Sequence, residues 1–397
     1  TLKPKRRTVI GRINPLSANI VTSPSPLSVP PTKTKGPKMS KSEADTGPVR
    51  TESDVYDRQI RLWGADAQGR LSSARVLYVH ISGVSSEILK NLVLAGVRAT
   101  ICDGRPFPSA IGTMPSSFFS PSERVSPETG GNEPISQAVD NREEGSESLR
   151  KKAKVVTVAR AMQEHVHELN PLLDECEVNE TLVEDVPDEY FAKFDLVIAS
   201  CLGISQATRI ASATTSAGGK FYLVDTFGLN GCAMVDLGKD HEFRREQGKK
   251  LLSVEKLPNY VSLKEMMSMK LSEATGRWDK VPPKIWAIYR AFLAYEGETG
   301  HFPASKRSDD FVEKTKKWLE SSGSDKVGSD YLGADDDLKL LSTLASAEVS
   351  PVCAVLGGVL GNEAIKILSG KGEPANNLLM FDGSDGSYRS FLLKPPQ

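Results

Sequence analysis

The rhythm of apolar and polar positions divides the chain into segments of contrasting texture. Over "VYDRQIRLWGADAQGRL", Tyr56, Ile60, Trp63, Ala67 and Leu71 recur every three to four positions, which predicts one helix with a single face against a core. Asp54 and Asp57 stand where that helix begins, where carboxylates complement free amides and the positive end of the dipole. Arg58 and Arg61 fall off the apolar face, and a plain capped helix requires neither. From Arg75, "RVLYVHI" is a strand-like run, "SSEILKNLVLAGV" has helical spacing through Ile88, Leu92 and Ala95, and "ATICD" is a second short strand. That order is a β-α-β unit and predicts a parallel pair.

The alternation resumes downstream. "KKAKVVTVARAMQEHVHELNP" predicts a helix stopped by Pro171, followed by a weak strand near 173–178 and a strong one in "FDLVIASC". A helix from Ser205 to Ala217 and a strand in "KFYLVDTFG" complete an α/β pattern of the doubly wound, parallel-sheet kind. Residues 237–345 turn helical and polar, as in "EKLPNYVSLKEMMSMKL", "PPKIWAIYRAFLAYEGETG" and "DDFVEKTKKWLESS", and predict an inserted helical subdomain. "VSPVCAVLGGVLGNEAIKILSG" is then one more apolar helix, and "NNLLMFDG" and "SYRSFLLK" are strands, so 346–397 returns to the domain begun over 53–236. Two stretches have no apolar period. Residues 1–52 are rich in Pro, Ser, Thr and Lys, and 120–149 in Ser, Pro, Glu and Gly; neither composition offsets the entropy of ordering, so a disordered arm and a flexible loop are expected.

Composition narrows the chemistry. The 397 residues are 39% hydrophobic and 25% charged with a net charge of −1, enough for a sizeable core and without the basic excess of a general polyanion binder, so no nucleic-acid partner is expected. The five cysteines, at 102, 176, 201, 232 and 353, form no C-x-x-C pair, which argues against a disulfide framework or structural zinc and for small buried hydrophobes in a reducing compartment. No apolar run reads as membrane-spanning, and the basic opening lacks the apolar centre of a secretory signal, so a soluble intracellular protein with no membrane partner is expected. "KPKRR" at 3–7 fits a nuclear-import signal as well as a solvated tail.

A nucleotide site in this architecture needs glycines after the first strand, because side chains there hold the backbone amides away from phosphate. The loop reads His80-Ile81-Ser82-Gly83-Val84-Ser85-Ser86-Glu87, and only Gly83 meets that need. Asp103 ends the second strand twenty residues beyond Gly83, where an acid can bind a ribose hydroxyl or serve structure alone. A nicotinamide-dependent oxidoreductase is a poor match, since His165 and His167 lie inside a polar helix with no orienting carboxylate evident.

"YDRQIRLWGADAQGRLSSARVLYV", with "EILKNLVLAGV" leading to the strand-final Asp103, closely resembles the N-terminal region of the ubiquitin-like-protein activating enzymes. "EVSPVCAVLGGVLGNEAIKILSG" followed by "NNLLMFDG" resembles the C-terminal helix and strand of the smaller, noncatalytic subunit in the SUMO-activating branch. The similarity spans 53–119, 141–236 and 345–383. In that family adenylation domains work in pairs. An active one attaches AMP to the C-terminal glycine of a ubiquitin-like protein before a cysteine takes the acyl group as a thioester.

The resemblance implies a Rossmann-like pseudo-adenylation domain with a degenerate site. Active members carry several glycines in the phosphate loop, where Ser85 and Ser86 stand here. They follow the aspartate with Asn-Leu-Asn-Arg-Gln, where this chain has "GRPFPSAIGTMPSSFF", and end a later strand with Thr-Asp, where "DLVIASCLG" puts Leu202 and Gly203. A vestigial site at Gly83, Ser85, Asp103 and Leu202 follows, with no cofactor in this chain and ATP and Mg bound by the partner subunit. The same resemblance implies an obligate heterodimer with the large catalytic subunit of the SUMO-activating enzyme, SUMO as the protein substrate, inactivity of the chain alone and a nuclear location. It also implies a role for the first arginine, since Arg58 of the DRQ segment would reach the partner's ATP in trans. A guanidinium suits that role, offering a fixed fork of donors and a permanent charge. Arg61 stands nearer structural support, and the thioester cysteine belongs by resemblance to the larger subunit rather than to Cys201 or Cys232. Two rivals stand beside this reading, the regulatory subunit of the neddylation activating enzyme, a longer chain sharing "YDRQ-RLWG", and a self-sufficient bacterial sulfur-carrier adenylyltransferase.

Overall fold

The computed structural model describes residues 55–107, 156–173, 176–247, 250–274, 281–322 and 327–395. The expected arm, the loop at 120–149, the "KPKRR" run and Asp54 lie outside these residues. In chain order the main elements are α1 (Asp57–Trp63), α2 (Ala65–Ser73), β1 (Arg75–Val79), α3 (Gly83–Leu94), β2 (Arg98–Cys102), α4 (Val158–Leu169), β3 (Glu177–Asn179), α5 (Asp188–Phe191), β4 (Leu196–Ala199), α6 (Ile204–Ser216), β5 (Lys220–Phe227) and β6 (Asn230–Asp236). There follow β7 (Glu242–Gln247), β8 (Lys250–Lys256), α7 (Leu263–Ser268), α8 (Lys284–Thr299), α9 (Ser308–Ser322), α10 (Asp335–Leu344), α11 (Ser350–Ser369), β9 (Leu378–Asp382) and β10 (Ser387–Phe391).

Among the described residues eight strands form one sheet in the order β10-β9-β6-β5-β4-β1-β2-β3. The half from β3 to β5 is parallel, and β6, β9 and β10 join it antiparallel. Strand alternation sorts the core onto two faces. Val76 and Tyr78 of β1, Leu196 and Ile198 of β4, and Tyr222 and Val224 of β5 meet α3, α4 and α11 on one side. Leu77, Val79, Val197, Ala199, Phe221 and Leu223 face α6 and the helices α7 to α10 on the other. This is the doubly wound, Rossmann-like α/β arrangement that the alternation predicts.

Three details depart from expectation. The single helix predicted through Tyr56 to Leu71 breaks at Gly64, whose φ of +87° is left-handed territory open to glycine. Ile60 and Trp63 therefore fall short of full burial, although Tyr56, Ala67 and Leu71 are core residues. The segment 237–345 is not helical throughout. It begins with the antiparallel β7–β8 hairpin, whose polar sequence hides a short period-two pattern around the buried Phe243. Its helices merge with the sheet's own core, because α8 buries Trp286, Tyr289, Phe292 and Leu293. Phe227 of β5 stacks on Tyr289 at 6.0 Å and meets Phe292 edge-on at 5.3 Å. Finally α11, at 20 residues, is long and apolar enough to cross a membrane by length and composition, contrary to expectation. Val352, Leu356, Leu360, Ala364 and Ile367 pack into the core, which accounts for that hydropathy.

Candidate functional site

Chain order reverses between β1 and β4, and ligands of open α/β sheets bind in the crevice beyond the carboxyl ends of the strands at such a point. Here the two loops that rim the crevice are stitched together. The Ser82 hydroxyl donates to Ser200 Oγ at 2.9 Å, and Ser200 Oγ donates to Val224 O at 2.8 Å. His80 and Cys201, the residues that turn the chain after β1 and β4, adopt φ of +57° and +53°, and His80 Nδ1 lies 3.4 Å from Cys201 O. The tight turn of a nucleotide fold survives at position 80 without its glycine.

The turns after β1 and β4 and the helices that follow them offer the amides of Ile81, Gly83, Cys201 and Ile204, and a carboxylate of this chain takes each. Asp103, buried at the end of β2, accepts from Ile81 N at 2.9 Å and holds Arg105 through Nε at 2.8 Å and Nη2 at 2.6 Å. Glu348, in the segment before α11, accepts from Gly83 N at 2.7 Å at the N-terminus of α3. Asp225 of β5 accepts from Cys201 N at 2.8 Å and from the Tyr289 hydroxyl. Glu296 of α8 accepts from Ile204 N at 3.1 Å at the N-terminus of α6. Ser85 and Ser86 are likewise spent within the chain: Ser85 shares a reciprocal cap with Ser82, and the Ser86 hydroxyl donates to Gly83 O at 2.7 Å.

The electrostatics follow from burial. The His80 imidazole is lowered to about 4, first by burial and then by the adjacent Arg105, so it is neutral at physiological pH. Burial raises the Asp225 carboxyl to about 6 against the hydrogen bonds from Tyr289 and Cys201. Burial also works to lower the Arg105 guanidinium, but the bonds and charge of Asp103 override it and raise the value. The Cys201 thiol is pushed well up, chiefly by burial and then by Asp225, which leaves it a poor nucleophile.

The sequence-derived site residues are thus brought together, but not as a vacant remnant. Gly83, Ser85 and Asp103 rim one crevice, while Leu202 is 2% exposed and belongs to the core under α6. Cys102, Cys176, Cys232 and Cys353 are buried as expected, and Cys201 is only partly so. Sequence reading missed Glu348, Glu296, Asp225 and Tyr289, which lie far along the chain from the loop. Arg105, two residues after the strand-final aspartate, was the one local signal. ATP does not fit the residues present: the amides that would cradle phosphate are already bonded to carboxylates, and a Cβ at Gly83 would meet Cys353 Sγ and Glu348 Oε2 at 2.8 Å.

Arg58 sits elsewhere, exposed on α1, with no hydrogen-bond or ion-pair partner among the described residues. Arg61 pairs with Asp57 at 2.9 Å. Leu62, four residues beyond Arg58 on the same helical face, is 78% exposed. The helix is nonetheless anchored: Asn170 Nδ2 donates to Tyr56 Oη at 2.7 Å, and Lys371 Nζ donates to Trp63 O. On α11, Gly357 and Gly361 allow close packing against Glu87 and Asn91 of α3. Ala354 and Gly358 face outward, and a Cβ on Gly358 would meet nothing within 4 Å.

These features define an α/β protein of the nucleotide-binding kind whose switch-point crevice is filled by its own acidic side chains. The chain belongs to the ThiF family, whose model matches residues 148–397. It is similar to proteins named SUMO-activating enzyme subunit 1. The Bos taurus and Homo sapiens proteins are each 30% identical, over 376 and 375 residues, covering 88% of this chain and 97% of each relative. The Dictyostelium discoideum protein is 26% identical over 355 residues, covering 88% of this chain and 96% of that relative.

Proposed function

We propose that this chain is the noncatalytic subunit of a heterodimeric SUMO-activating enzyme. The relatives' shared name supports the SUMO branch over the neddylation one. The observation that carries the noncatalytic role is the crest of the sheet, where Ile81, Gly83, Cys201 and Ile204 donate their amides to Asp103, Glu348, Asp225 and Glu296. The large partner subunit binds ATP and Mg, adenylates the C-terminal glycine of SUMO and carries the thioester cysteine. This chain lends Arg58 to the partner's ATP in trans. A guanidinium held on an anchored helix, with no competing anion among the described residues of its own chain, is available to phosphate oxygens as charge shifts during attack at the α-phosphate. The exposed Leu62 and the outward face of α11 fit a large docking surface, since obligate pairs bury about 2,000 Å² or more. The chain acts in the nucleus; a fluorescent fusion of the full chain that stayed cytoplasmic would refute that location.

The test is reconstitution with the large subunit and single-turnover measurement of SUMO adenylate. Arg58→Ala slows adenylate formation by at least about tenfold, a modest fraction of what arginine fingers contribute elsewhere, while the heterodimer still elutes intact. Arg61→Ala leaves the rate near wild type. An unchanged rate in Arg58→Ala would remove the trans-acting role. ATP–pyrophosphate exchange by the purified chain alone would remove the noncatalytic one.

A further inference from the structure

A degenerate nucleotide site can fail by lacking donors or by having its donors occupied, and this chain shows the second condition. We infer that Glu348 and Glu296 act as built-in substitutes for phosphate, closing the crevice from within and fastening two later segments of the chain across it. Two long helices, α3 of 12 residues and α6 of 13, aim their N-termini at the crevice as phosphate-binding helices do, and each ends on a glutamate carboxylate rather than on open space. The glutamates come from distant places. Glu348 precedes α11, which packs on α3, and Glu296 lies in the last turn of α8, which covers the other face of the sheet. Steric fit is close at both points. A Cβ at Gly203 would collide with the Glu296 carboxylate, and one at Gly83 would press on Glu348 Oε2 at 2.8 Å. The glycine at each helix start therefore admits a carboxylate supplied by the protein, as it would admit a phosphate.

The neighbouring charges agree. Among the described residues the carboxylates Asp103, Asp225, Glu296 and Glu348 border the crevice, and Arg105 lies beside Asp103. The Arg105 charge is already directed to Asp103 through two bonds. An incoming phosphate would meet acids rather than amides, so the closure excludes nucleotide by occupancy and by repulsion together.

The experiment replaces the substitute with the ion it imitates. Full-length wild type, Glu348→Ala and Glu296→Ala are melted in inorganic phosphate and in chloride at matched ionic strength, with hydrogen exchange followed at residues 81–90 and 202–208. Wild type gains from phosphate over chloride only the general increment that an excluded salt gives any folded chain. Each alanine variant melts lower by about 1–5 °C, and phosphate recovers more of that loss than chloride does and restores protection at the helix start next to the removed carboxylate. Glu348→Gln, which keeps the shape and one acceptor oxygen but not the charge, falls between wild type and alanine. Glu296 meets a different helix start from Glu348, so its variant keeps the test open should Glu348→Ala fail to fold. Folded alanine variants that gain no more from phosphate over chloride than the wild type does would overturn the inference, as would phosphate-dependent protection at 81–90 or 202–208 in the wild type.

Discussion

Replacing His80 by asparagine tests the closed crevice through its acid response. His80 is 8% exposed and its imidazole is lowered from 6.5 to about 4 by burial and then by Arg105. Because the native value lies below the unfolded one, the unfolded chain takes up the proton first. Stability from the neutral ring is thus complete above pH 6.5 and lost as pH falls toward 4. Linkage with those two values gives a loss of about 1.4 kcal/mol at pH 5.5 and about 2.5 kcal/mol at pH 4.5. Asparagine tolerates the left-handed φ of +57° better than most residues and carries no titrating group. The assay is urea unfolding of wild type and His80→Asn between pH 7.5 and 4.5, read as the difference between the two proteins so that other titrations cancel. Whatever the offset at pH 7.5, the variant gains on wild type by those amounts as pH falls. Parallel curves across the range would show that the ring is not held neutral by burial and by Arg105.

Further outcomes follow from the same geometry. Asp225 titrates in the opposite sense: its native carboxyl is raised to about 6 from 3.8, so its contribution to stability is present at low pH and lost as pH rises through that window, by about 3 kcal/mol in all. Asp225→Asn removes that slope, and in urea titrations it gains on wild type as pH rises from 4 to 6. Gly357→Ala brings a Cβ to 2.5 Å from Glu87 Cβ, so α3 and α11 must separate, and unfolding midpoints should report a loss of about 1–3 kcal/mol. Gly358→Ala one residue on has free space and gains about 0.5–1 kcal/mol from helix propensity in the isolated chain; if α11 docks the partner, the same substitution weakens the heterodimer in a titration of the two subunits. Restoring glycine at positions 85 and 86 together does not confer ATP binding by calorimetry, because Glu348 still holds the Gly83 amide.

The sheet was legible because its order is written locally. "RVLYV", "LVIA" and "KFYLVDTF" are apolar runs of strand length separated by helical spacing, and the register of β1 with β2 and β4 follows from burying both faces. The loop at 80–87 was legible as a departure, since the absence of glycine can be read residue by residue. What filled the crevice was not, because Glu296 and Glu348 are ordinary acids in helical or connecting sequence until the chain has folded 92 and 265 residues back onto their amides. The merger of α8 with the sheet was hidden for a related reason. "KIWAIYRAF" is buried on nearly every side, so its periodicity gives no preferred face and a core helix looks like part of a separate bundle.

Acidic substitutes at the crest explain more than missing glycines do. A loop that lost glycines alone would leave the amides of Gly83 and Ile204 facing a crevice with nothing to accept them, and each buried unmatched donor costs about 1–3 kcal/mol. A carboxylate at the end of a helix removes that penalty and adds a favourable dipole interaction of about 0.3–1 kcal/mol. Because the carboxylate is tethered, its effective concentration at the amide exceeds that of a free nucleotide, which would have to displace it and enter against Asp103 and Asp225. Closure of the crevice and stability of the fold are then one arrangement. The carboxylates that exclude phosphate also join α8 and the start of α11 to the strand ends, leaving α1, outside that network, to present Arg58 to solvent.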